Sequence, residues 1–393
     1  MIQREEGSLY RICACIDLDA LRRNLRNIRN RLADGVKLMC VIKTDAYGHG
    51  AVTAARVMEE EGADWFAVAA ADEGIELRKA GIDLPILVLG YTCKEQYDTM
   101  IENQIVPTIF TLSMARDYNE AAKRAGIRAD IHIALDTGMS RIGFLPGKDS
   151  LDAIEAISHL SHLRVQGVFT HFACADMTDK THMEGQIRVF SDMLKAMEER
   201  GVHPELRHCA NSASIMERPD VQMDMVRAGI IQYGLYPSDE VDPANMDLYP
   251  VMSLWSHVAY IKELPAGVGV SYGATYVTSG RTRVATIPVG YGDGYPRSLS
   301  NKGYVLINGQ KAPILGRVCM DQMMVDITGL DQVKEQDPVC LMGACGGQEI
   351  SAETISGMAG SFNYEFVCDV GRRVPRVYME NGKPVKVVNY LID

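Results

Sequence analysis

The segment VKLMCVIKTDAYGHG, residues 36–50, joins an apolar run to a loop rich in glycine and polar residues. An apolar run without alternation is typical of a strand buried on both faces, as the strands of parallel sheets are. The run ends at Lys43, and Tyr47, Gly48 and Gly50 follow closely. A lone lysine of this kind is commonly a solvated strand end, and paired glycines commonly make a turn. The role of Lys43 therefore depends on the rest of the chain.

Short apolar strands and helical segments alternate as far as residue 234. The predicted strands cover 36–43, 64–70, 85–90, 106–110, 130–136, 163–171, 205–210 and 225–234. The predicted helices cover 18–32, 51–60, 73–81, 114–126, 150–160 and 186–200. About eight parallel βα units over roughly 200–250 residues predict an α/β fold of the (β/α)₈ TIM-barrel type. A doubly wound sheet is the alternative, but it usually has fewer strands and a glycine-rich first turn, which this sequence lacks.

The composition changes after about residue 240. The segment PSDEVDPANMDLYP, residues 237–250, is rich in proline and aspartate, and the segments beyond it are strand-like runs separated by turn residues. Asn308-Gly309 between two apolar runs predicts a two-residue hairpin turn. We therefore predict a barrel domain over residues 1–244 and a mainly β C-terminal domain over residues 245–393. The first strand, around residues 10–16, is expected to pack with the β-domain.

Composition limits the kind of partner. The chain has 393 residues, of which 47% are hydrophobic and 23% charged, and its formal net charge is −11. These values are typical of a globular protein, and the negative charge argues against nucleic acid or an anionic membrane as a partner. The N-terminus lacks the apolar core of a secretory signal, and no run is long enough to span a membrane. The ten cysteines form no CxxC pair. We therefore expect a cytoplasmic protein without structural zinc.

Polar residues fall at the carboxyl ends of five predicted barrel strands. They are Lys43, the segment 136–141 with Arg141, His171, Asn211 with Ser212 and, early in the last strand, Arg227 with Gly229 just beyond it. In a parallel barrel these strand ends all open on one face, because the loops that follow the strands lie together there. One such residue means little, but five sets at the same end of five strands predict a shared cavity.

Several donors near these strand ends suit a phosphate group. They are the hydroxyls of Ser212 and Tyr47 and the backbone N–H groups of the glycine-flanked segment 228–230. Each also has a structural explanation, as a helix cap, a half-buried ring and a strand bend. A lysine that faces a phosphate site suggests a Schiff base with a carbonyl compound. Pyridoxal 5′-phosphate supplies both the carbonyl and the phosphate.

Nine motifs carry a resemblance that spans nearly the whole chain. They are VIKTDAYGHG, DTGMSRIGF, GVFTHFACAD, RHCANSAS, RAGIIQYGLYP, VSYGATY, VGYGDGY, RVCMDQ and NYE…RRVPR. In this order they resemble the alanine racemase family of barrel-type pyridoxal-phosphate enzymes. The resemblance implies a head-to-tail homodimer in which each site combines one barrel with the β-domain of the partner. It also implies that the chain interconverts L-alanine and D-alanine, which supplies D-alanine for cell-wall peptidoglycan.

Racemisation removes a proton from one face of the α-carbon and returns one to the other face, so two bases on opposite faces do this most simply. The resemblance places Lys43 as the Schiff-base lysine and one base, and Tyr272 of the partner subunit as the other. A free tyrosine has a pKa of roughly 10, so the pKa of Tyr272 has to be lowered for this role. The expected tuning neighbours are His171 and, through the cofactor, Arg227.

The same resemblance implies the remaining contacts. Arg227 is expected to hydrogen-bond the pyridine nitrogen and keep it unprotonated, which suits racemisation over transamination. The substrate carboxylate is expected to bind Arg141 and the backbone N–H of Met320. Tyr291 is expected to line the mouth, and Tyr272 with Tyr364 to leave room for only a methyl side chain. The implied cofactor-binding residues are Lys43, Tyr47, His171, Asn211, Ser212, Arg227, Gly229, Ile230 and Tyr364, five of which (Tyr47, Ser212, Gly229, Ile230 and Tyr364) take the phosphate.

The sequence departs from the family pattern at Ala134. Many members carry a lysine two residues before the aspartate of DTGM, and its carbamylated form orients the arginine. Alanine cannot form a carbamate, so Arg141 is expected to be oriented by another group, a bound anion or water.

The nearest alternative is a serine or broad-specificity amino-acid racemase on the same fold. Tyr364 favours alanine, because a smaller polar residue there would leave room for a hydroxymethyl group. The vancomycin-resistance serine racemases also carry a membrane domain, for which this sequence has no segment. Selectivity against one hydroxyl is often modest, so some serine turnover is compatible with this interpretation.

Three further alternatives explain less of the sequence. The Tyr272 motif and RVCMDQ argue against a pyridoxal-phosphate decarboxylase of related architecture. A non-catalytic barrel that binds the cofactor would not need a β-domain with Tyr272 and Met320. A sugar-phosphate aldolase with a lysine Schiff base would explain the barrel but not the second domain.

Overall fold

The computed structural model describes residues 10–393, which fold as two compact units. The barrel unit comprises residues 21–46 and 51–249. The β unit comprises residues 10–20, 47–50 and 250–393. The short segment 47–50 thus belongs to the β unit, although the residues on both sides of it belong to the barrel unit.

Strands and helices alternate through the first part of the chain. The strands are β1 (Ile12–Asp17), β2 (Lys37–Val41), β3 (Trp65–Val68), β4 (Ile86–Val88), β5 (Ile105–Val106), β6 (Thr108–Ile109), β7 (Ala129–Ala134), β8 (Leu163–Phe169), β9 (Leu206–His208) and β10 (Met225–Ala228). The helices are α1 (Leu18–Arg29), α2 (Ala51–Glu60), α3 (Ala71–Lys79), α4 (Tyr97–Glu102), α5 (Leu112–Ala125), α6 (Lys148–Ser158), α7 (Thr181–Glu199) and α8 (Ser212–Glu217).

The parallel strands of the barrel unit form a closed ring. β10, β2, β3, β4 and β5 pair in that order, and β6, β7, β8 and β9 form a second run. Pro107 separates β5 from β6 and has no N–H for the ladder, so we count the two as one interrupted strand. Backbone N–H groups of Asp224 and Arg227 donate to Arg207 O (3.1 Å) and Ala210 O (3.0 Å), which joins β9 to β10. Within residues 10–393 the ring has eight strands, and the TIM-barrel prediction is confirmed.

The helix α5 illustrates how local sequence sets the outer layer. The Thr111 hydroxyl accepts from the Met114 N–H at 3.1 Å, which caps the first turn. Gly126 ends the helix with φ 70°, a left-handed conformation that glycine adopts without strain. Ala115 and Tyr118, three residues apart on one face, are fully buried. Burial of a side chain as large as Tyr118 contributes roughly 1.5–3 kcal/mol, so this face binds the helix to the strands.

Two details of the predicted barrel differ from the structure. The strand predicted over 225–234 ends at Ala228, because the backbone of Gly229 (φ −111°, ψ −110°) leaves the extended region. A 3₁₀ turn, Ile230–Tyr233, follows it. The helices α4 and α8 were not predicted, since six residues are too few to show a helical period.

The β unit holds the remaining elements. Its later strands are β11 (Met252–His257), β12 (Tyr260–Leu264), β13 (Gly269–Val270), β14 (Tyr276–Val277), β15 (Thr282–Ile287), β16 (Tyr304–Ile307), β17 (Gln310–Leu315), β18 (Met323–Asp326), β19 (Pro338–Cys345), β20 (Gln348–Ile350), β21 (Arg376–Glu380) and β22 (Lys383–Val388). Its helices are α9 (Ala352–Ala359) and α10 (Asn363–Asp369), which the sequence analysis did not predict.

One large sheet organises this unit. Its order is β12-β15-β18-β17-β16-β19-β11-β1-β21-β22, with β20 paired to β19. β1 lies between β11, to which it is antiparallel, and β21, to which it is parallel. The prediction of a mainly β C-terminal domain is confirmed.

The predicted hairpin joins β16 to β17. Asn308 (φ 51°) and Gly309 (φ 76°) both have positive φ, as the turn of a two-residue hairpin requires, and Ile307 pairs with Gln310 across it. A Cβ at Gly309 would lie 3.0 Å from backbone atoms of Gly346. Both the φ value and the close approach therefore require glycine at this position.

We predict that Gly309→Ala destabilises the β unit by about 1–3 kcal/mol, because it combines a left-handed residue with a steric contact. The shift in the urea unfolding midpoint measures this. Gly329→Ala is the matched control, since a Cβ there meets no atom within 4 Å. The control should change stability by less than about 0.5 kcal/mol. Equal effects of the two substitutions would contradict the turn assignment.

Candidate active site

Lys43 stands at the start of an unusual turn after β2. Thr44, Asp45, Ala46 and Tyr47 have φ values of 54°, 52°, 54° and 53°, so four consecutive non-glycine residues are left-handed. Each such residue costs roughly 1–2 kcal/mol relative to a right-handed one. A turn of this kind persists only where its surroundings hold it.

The barrel unit holds the beginning of this turn with two carboxylates. The Thr44 N–H donates to Glu73 Oε1 at 2.5 Å, and Glu73 Oε2 accepts from the backbone N–H groups of Ala69 and Ala70. Asp45 Oδ1 accepts from the N–H of Ala51 at 2.7 Å, at the start of α2. The backbone that follows Lys43 is therefore fixed on the barrel side.

Arg227 is the central buried charge of the barrel, with 3% of its surface exposed. Its Nη1 donates to His208 Nδ1 at 2.9 Å and to His208 O at 3.0 Å. Its Nη2 donates to Thr170 O at 2.8 Å, Cys209 O at 3.1 Å and His171 Nδ1 at 3.3 Å. Burial lowers the pKa of Arg227 to about 10, so the guanidinium stays charged at neutral pH.

Two buried histidines extend this hydrogen-bond chain, and the sequence analysis missed both. Because Arg227 only donates, His208 Nδ1 is the acceptor and its Nε2–H donates to His132 Nδ1, 3.0 Å away. Burial lowers the pKa of His132 to about 4 and that of His208 well below its ordinary value, so both rings are neutral. A Cβ at Gly167 would lie 2.5 Å from the His132 ring, so this glycine makes room for it. The signal in the sequence was a histidine inside each of two apolar strands.

His171 and three other expected site residues interact electrostatically. It follows β8 and is half-buried. Burial, and then the charges of Arg227, Arg141 and Lys43, lower its pKa to about 3. His171 is therefore neutral, and the charges of three cationic side chains of the barrel unit act on it, of which Arg227 is in hydrogen-bond contact.

The loop after β9 meets the loop after β10. Asn211 caps α8, its Oδ1 accepting from the N–H and the hydroxyl of Ser214 at 3.2 and 3.1 Å. The Gly229 N–H donates to Ser212 Oγ at 2.9 Å. Ser212 thereby keeps its own hydroxyl hydrogen to donate, while the Gly229 N–H, expected as a phosphate donor, is engaged within the protein. Ile230 opens the 3₁₀ turn beside them.

Arg141 lies at the exposed tip of the loop that follows β7. The ends of this loop are closed by hydrogen bonds from Phe144 N–H to Ala134 O (2.9 Å) and from Asp136 N–H to Phe144 O (3.0 Å). Asp136 Oδ1 accepts from the N–H groups of Gly138 and Ser140, both at 3.0 Å. Ala134 is buried at the end of its strand, and the loop is shaped by the Asp136 carboxylate.

Gln186 of α7 ties this loop to the one that carries His171. Its Nε2 donates to Thr137 Oγ1 at 3.2 Å and to His171 O at 2.9 Å, and its Oε1 accepts from Ala173 N–H at 2.9 Å. The Thr137 and Thr170 hydroxyls are 2.7 Å apart. This buried network fixes two site loops to one helix.

In the β unit, the Tyr47 and Tyr364 rings lie 6.2 Å apart between centroids and are tilted by 53°. The Tyr364 ring also packs against the exposed Phe362, at 5.5 Å. Burial is the main cause that raises the pKa of Tyr47 well above its ordinary value. The Tyr47 hydroxyl therefore remains a neutral donor.

An open cleft of about 610 Å³ lies elsewhere on the β unit, and it contains two of the expected site residues. It is lined by Ser271, Tyr272, Gly273, Cys319, Met320, Asp321 and Gln322. Tyr272 is 68% exposed and Met320 52% exposed, which is unusual for large apolar groups. Ser271 has φ 63°, and its hydroxyl donates to Arg317 O at 2.6 Å, which joins the Tyr272 turn to the segment before Met320.

Tyr291 is also exposed and is attached to the same segment. Its N–H donates to Cys319 O at 3.1 Å, and the Gly292 N–H donates to Met320 O at 2.9 Å. Tyr272, Tyr291 and Met320 thus lie on interconnected turns of one unit.

Within residues 10–393, no helix is long and apolar enough to cross a membrane.

Comparisons with known proteins match the same family over nearly the whole chain. Residues 16–237 match the family model for the alanine racemase N-terminal domain, and residues 251–378 match that for the C-terminal domain. The chain is similar to the alanine racemase of Clostridium tetani, with 44% identity over 97% of this chain and 98% of that one. A solved structure of alanine racemase from Clostridium difficile 630 is 44% identical, with a TM-score of 0.94 over 98% of this chain and 100% of that one. Alanine racemase from Bartonella henselae with covalently bound pyridoxal phosphate is 28% identical, with a TM-score of 0.83 over 94% and 99% of the two chains.

We predict that stability falls as the pH is lowered from 7 to 5, because His132 and His208 are neutral in the folded state. An unfolded histidine has a pKa of about 6.5, so below that pH the unfolded chain binds more protons and is favoured. Each of the two contributes up to about 1.4 kcal/mol per pH unit. Thermal unfolding midpoints across this range measure the slope.

His132→Asn should flatten this pH dependence. His203→Asn, a matched change at an exposed histidine, should leave the slope as it is. An unaltered slope in the His132→Asn variant would contradict the conclusion that His132 and His208 are neutral in the folded state.

Proposed function

The chain belongs to the alanine racemase family, and we propose that it interconverts L-alanine and D-alanine with pyridoxal 5′-phosphate as its cofactor. The observation that carries this proposal is the hydrogen bond of the buried Arg227 to His171, a neutral ring on which the charges of Arg141 and Lys43 also act. Family members are isomerases, and an amino acid is the substrate class of this one. D-alanine made in this way would supply cell-wall peptidoglycan.

The donors present fit the cofactor. Ser212 keeps a hydroxyl hydrogen to donate, Tyr47 is a neutral donor, and three cations lie at the barrel strand ends. Such a set suits a ligand with a phosphate and a substrate with a carboxylate. When bound, pyridoxal phosphate binds the amino group of the substrate and withdraws electron density from its α-carbon. We propose that Lys43 holds the cofactor, with Asn211 near it, and that the phosphate binds Tyr47, Ser212, Ile230 and Tyr364, while the Gly229 N–H orients the Ser212 hydroxyl.

We propose that Lys43 and Tyr272 are the two bases. The Lys43 amine takes or returns the α-proton on one face of the substrate, and the hydroxyl of Tyr272 does so on the other. The exposure of Tyr272 and Met320 supports a role for both in the site of a second copy of the chain. We therefore propose a homodimer in which Tyr272 of the partner subunit completes each site.

Arg227 keeps its charge beside the cofactor in this proposal. It is expected to donate to the pyridine nitrogen, and a guanidinium does not pass on a proton at neutral pH. The neutral His208 and His132 support the arrangement, because each accepts on the side that faces Arg227. Held in this way, Arg227 would leave the pyridine nitrogen unprotonated, which would favour return of the proton to the α-carbon.

Arg141 and the Met320 N–H are proposed to bind the substrate carboxylate. Asp136 and Gln186 fix the loops around Arg141 and His171, which supports an arginine positioned without a lysine at position 134. Tyr272 and Tyr364 are proposed to limit the side chain of the substrate to a methyl group, with Tyr291 at the mouth.

The division into a barrel domain over residues 1–244 and a β-domain over residues 245–393 stays a proposal. The segment 238–250 lies between the two family-model matches, which supports a boundary there. A cytoplasmic location also stays a prediction, consistent with ten cysteines that form no disulfide within the described residues.

The direct test supplies the purified protein, loaded with pyridoxal phosphate, with L-alanine and L-serine in separate assays. We expect D-alanine to form at least about ten times faster than D-serine, since a pocket closed by two tyrosines resists a larger side chain. Chiral chromatography of the products measures both rates. Release of CO₂ would instead identify a decarboxylase, and equal rates would identify a broad-specificity racemase.

Hybrid dimers test the shared site. Lys43→Ala and Tyr272→Phe are each expected to be inactive alone, but a random mixture of the two chains should recover about one quarter of the sites. The reason is that half of the dimers are hybrids, and each hybrid contains one site with both native bases. Differently tagged chains are co-expressed, and racemisation of L-alanine is measured.

The matched control mixes Lys43→Ala with Lys43→Gln, which leaves every site without its lysine. This mixture should stay inactive. If the Lys43→Ala and Tyr272→Phe mixture also stays inactive, each site is built from one chain and the proposal of a shared site is wrong.

A further inference from the structure

The left-handed turn after Lys43 needs support at its far end as well as on the barrel side. That end is the segment 47–50, which belongs to the β unit. His49 Nδ1 lies 2.9 Å from Tyr47 O, and His49 is buried. The turn therefore leads directly into a short stretch of buried backbone.

The C-terminal part of the chain contacts this stretch very closely. A Cβ at Gly48 would lie 2.1 Å from Val367 O, and a Cβ at Gly50 would lie 1.8 Å from the Tyr378 hydroxyl oxygen. Both glycines also have positive φ, 80° and 91°. The Tyr378 hydroxyl donates to His49 O at 3.2 Å. Glycine is required at both positions because the Val367 carbonyl and the Tyr378 hydroxyl occupy the space that a side chain would need.

Arg376 joins the two segments. Its Nε donates to Gly48 O at 2.9 Å. Its Nη1 donates to Gly371 O at 2.7 Å and Val374 O at 2.6 Å, and its Nη2 donates to Val370 O at 2.6 Å. The side chain is only 1% exposed. One guanidinium thus binds four backbone carbonyls, one of them in the segment after Lys43.

The chemistry of these contacts indicates that Arg376 fixes the position of the Gly48 carbonyl. Burying a guanidinium is unfavourable unless its donors are satisfied, and here four carbonyl oxygens accept from four of its five N–H groups. The planar group fixes the angles between its acceptors, which an ammonium cannot do. Arg376 therefore holds Gly48 O in a set position relative to residues 370–374.

We propose that Arg376 is a positioning residue for the reaction: by holding Gly48 O it maintains the strained turn that joins Lys43 to Tyr47. Tyr378 assists through His49 O. Arg376 is not a catalytic residue in this proposal, because its donors bind backbone carbonyls. The inference rests on the proposed function, in which Lys43 and Tyr47 bind the cofactor.

The test compares Arg376→Lys with Tyr378→Phe, which removes one hydroxyl and keeps the ring. In Arg376→Lys we expect the backbone amides of residues 44–50 to exchange with deuterium at least about tenfold faster. We also expect the apparent Kd for pyridoxal phosphate to rise about tenfold, which corresponds to about 1.4 kcal/mol. Tyr378→Phe should raise the exchange rate of residues 44–50 and the apparent Kd by about threefold each. This variant tests the proposal even if the lysine variant does not fold.

Arg372→Lys is the matched control, because Arg372 is exposed and lies four residues before Arg376. It should leave the exchange and the cofactor affinity unchanged. A structural role limited to the β unit would lower the unfolding midpoint of the Arg376 or Tyr378 variant but leave cofactor affinity and exchange of residues 44–50 at control values. That result would overturn the proposal.

The exchange measurement on cofactor-free protein separates this inference from the proposed function. If the unchanged chain does not bind pyridoxal phosphate, the proposed function fails. Faster exchange of residues 44–50 in the Arg376→Lys or Tyr378→Phe variant would still support the role of Arg376 in holding the turn, and unchanged exchange in both would refute it.

Discussion

A guanidinium buried at the end of a barrel strand requires an acceptor for each N–H that it turns inward, and Arg227 imposes that requirement on its neighbours. Carbonyls after β8 and β9 supply part of it, and His208 and His171 supply the rest. His208 then needs His132, and His132 needs the space that Gly167 leaves. The interior of the barrel is therefore arranged around one charge, and burial, with a smaller effect of that charge, keeps both histidines neutral.

The site loops are held by a second set of buried polar contacts. Gln186 binds the loops after β7 and β8 together, and Asp136 shapes the loop that ends at Arg141. Most of these contacts are to backbone groups and one is to the Thr137 hydroxyl, and together they fix the path of the chain. This explains how position 134 can be alanine while the loop keeps a defined form.

The β unit contributes in two separate ways. Tyr272 and Met320 are exposed in its cleft, where another molecule can contact them. Its C-terminal strands hold the segment 47–50 through Arg376 and Tyr378. The strain of four left-handed residues is tolerated because hydrogen bonds to Glu73 and Asp45 hold one end of the turn and buried contacts hold the segment 47–50 at the other.

The sequence by itself determined the barrel, the mainly β second part and the Asn308-Gly309 hairpin, because apolar periodicity and turn chemistry are local properties. It also singled out Lys43, Arg141, His171 and Arg227 as candidate site residues, since chemistry is expected at the strand ends of a parallel barrel. Only the tertiary structure decided that Gly229 donates to Ser212, that His208 and His132 continue from Arg227, and that Arg376 reaches Gly48. Arg376 and Gly48 are 328 residues apart in sequence, and no local pattern records a hydrogen bond across that separation. The left-handed turn after Lys43 was also decided by the tertiary structure, because tertiary contacts override the local backbone preference of its four residues.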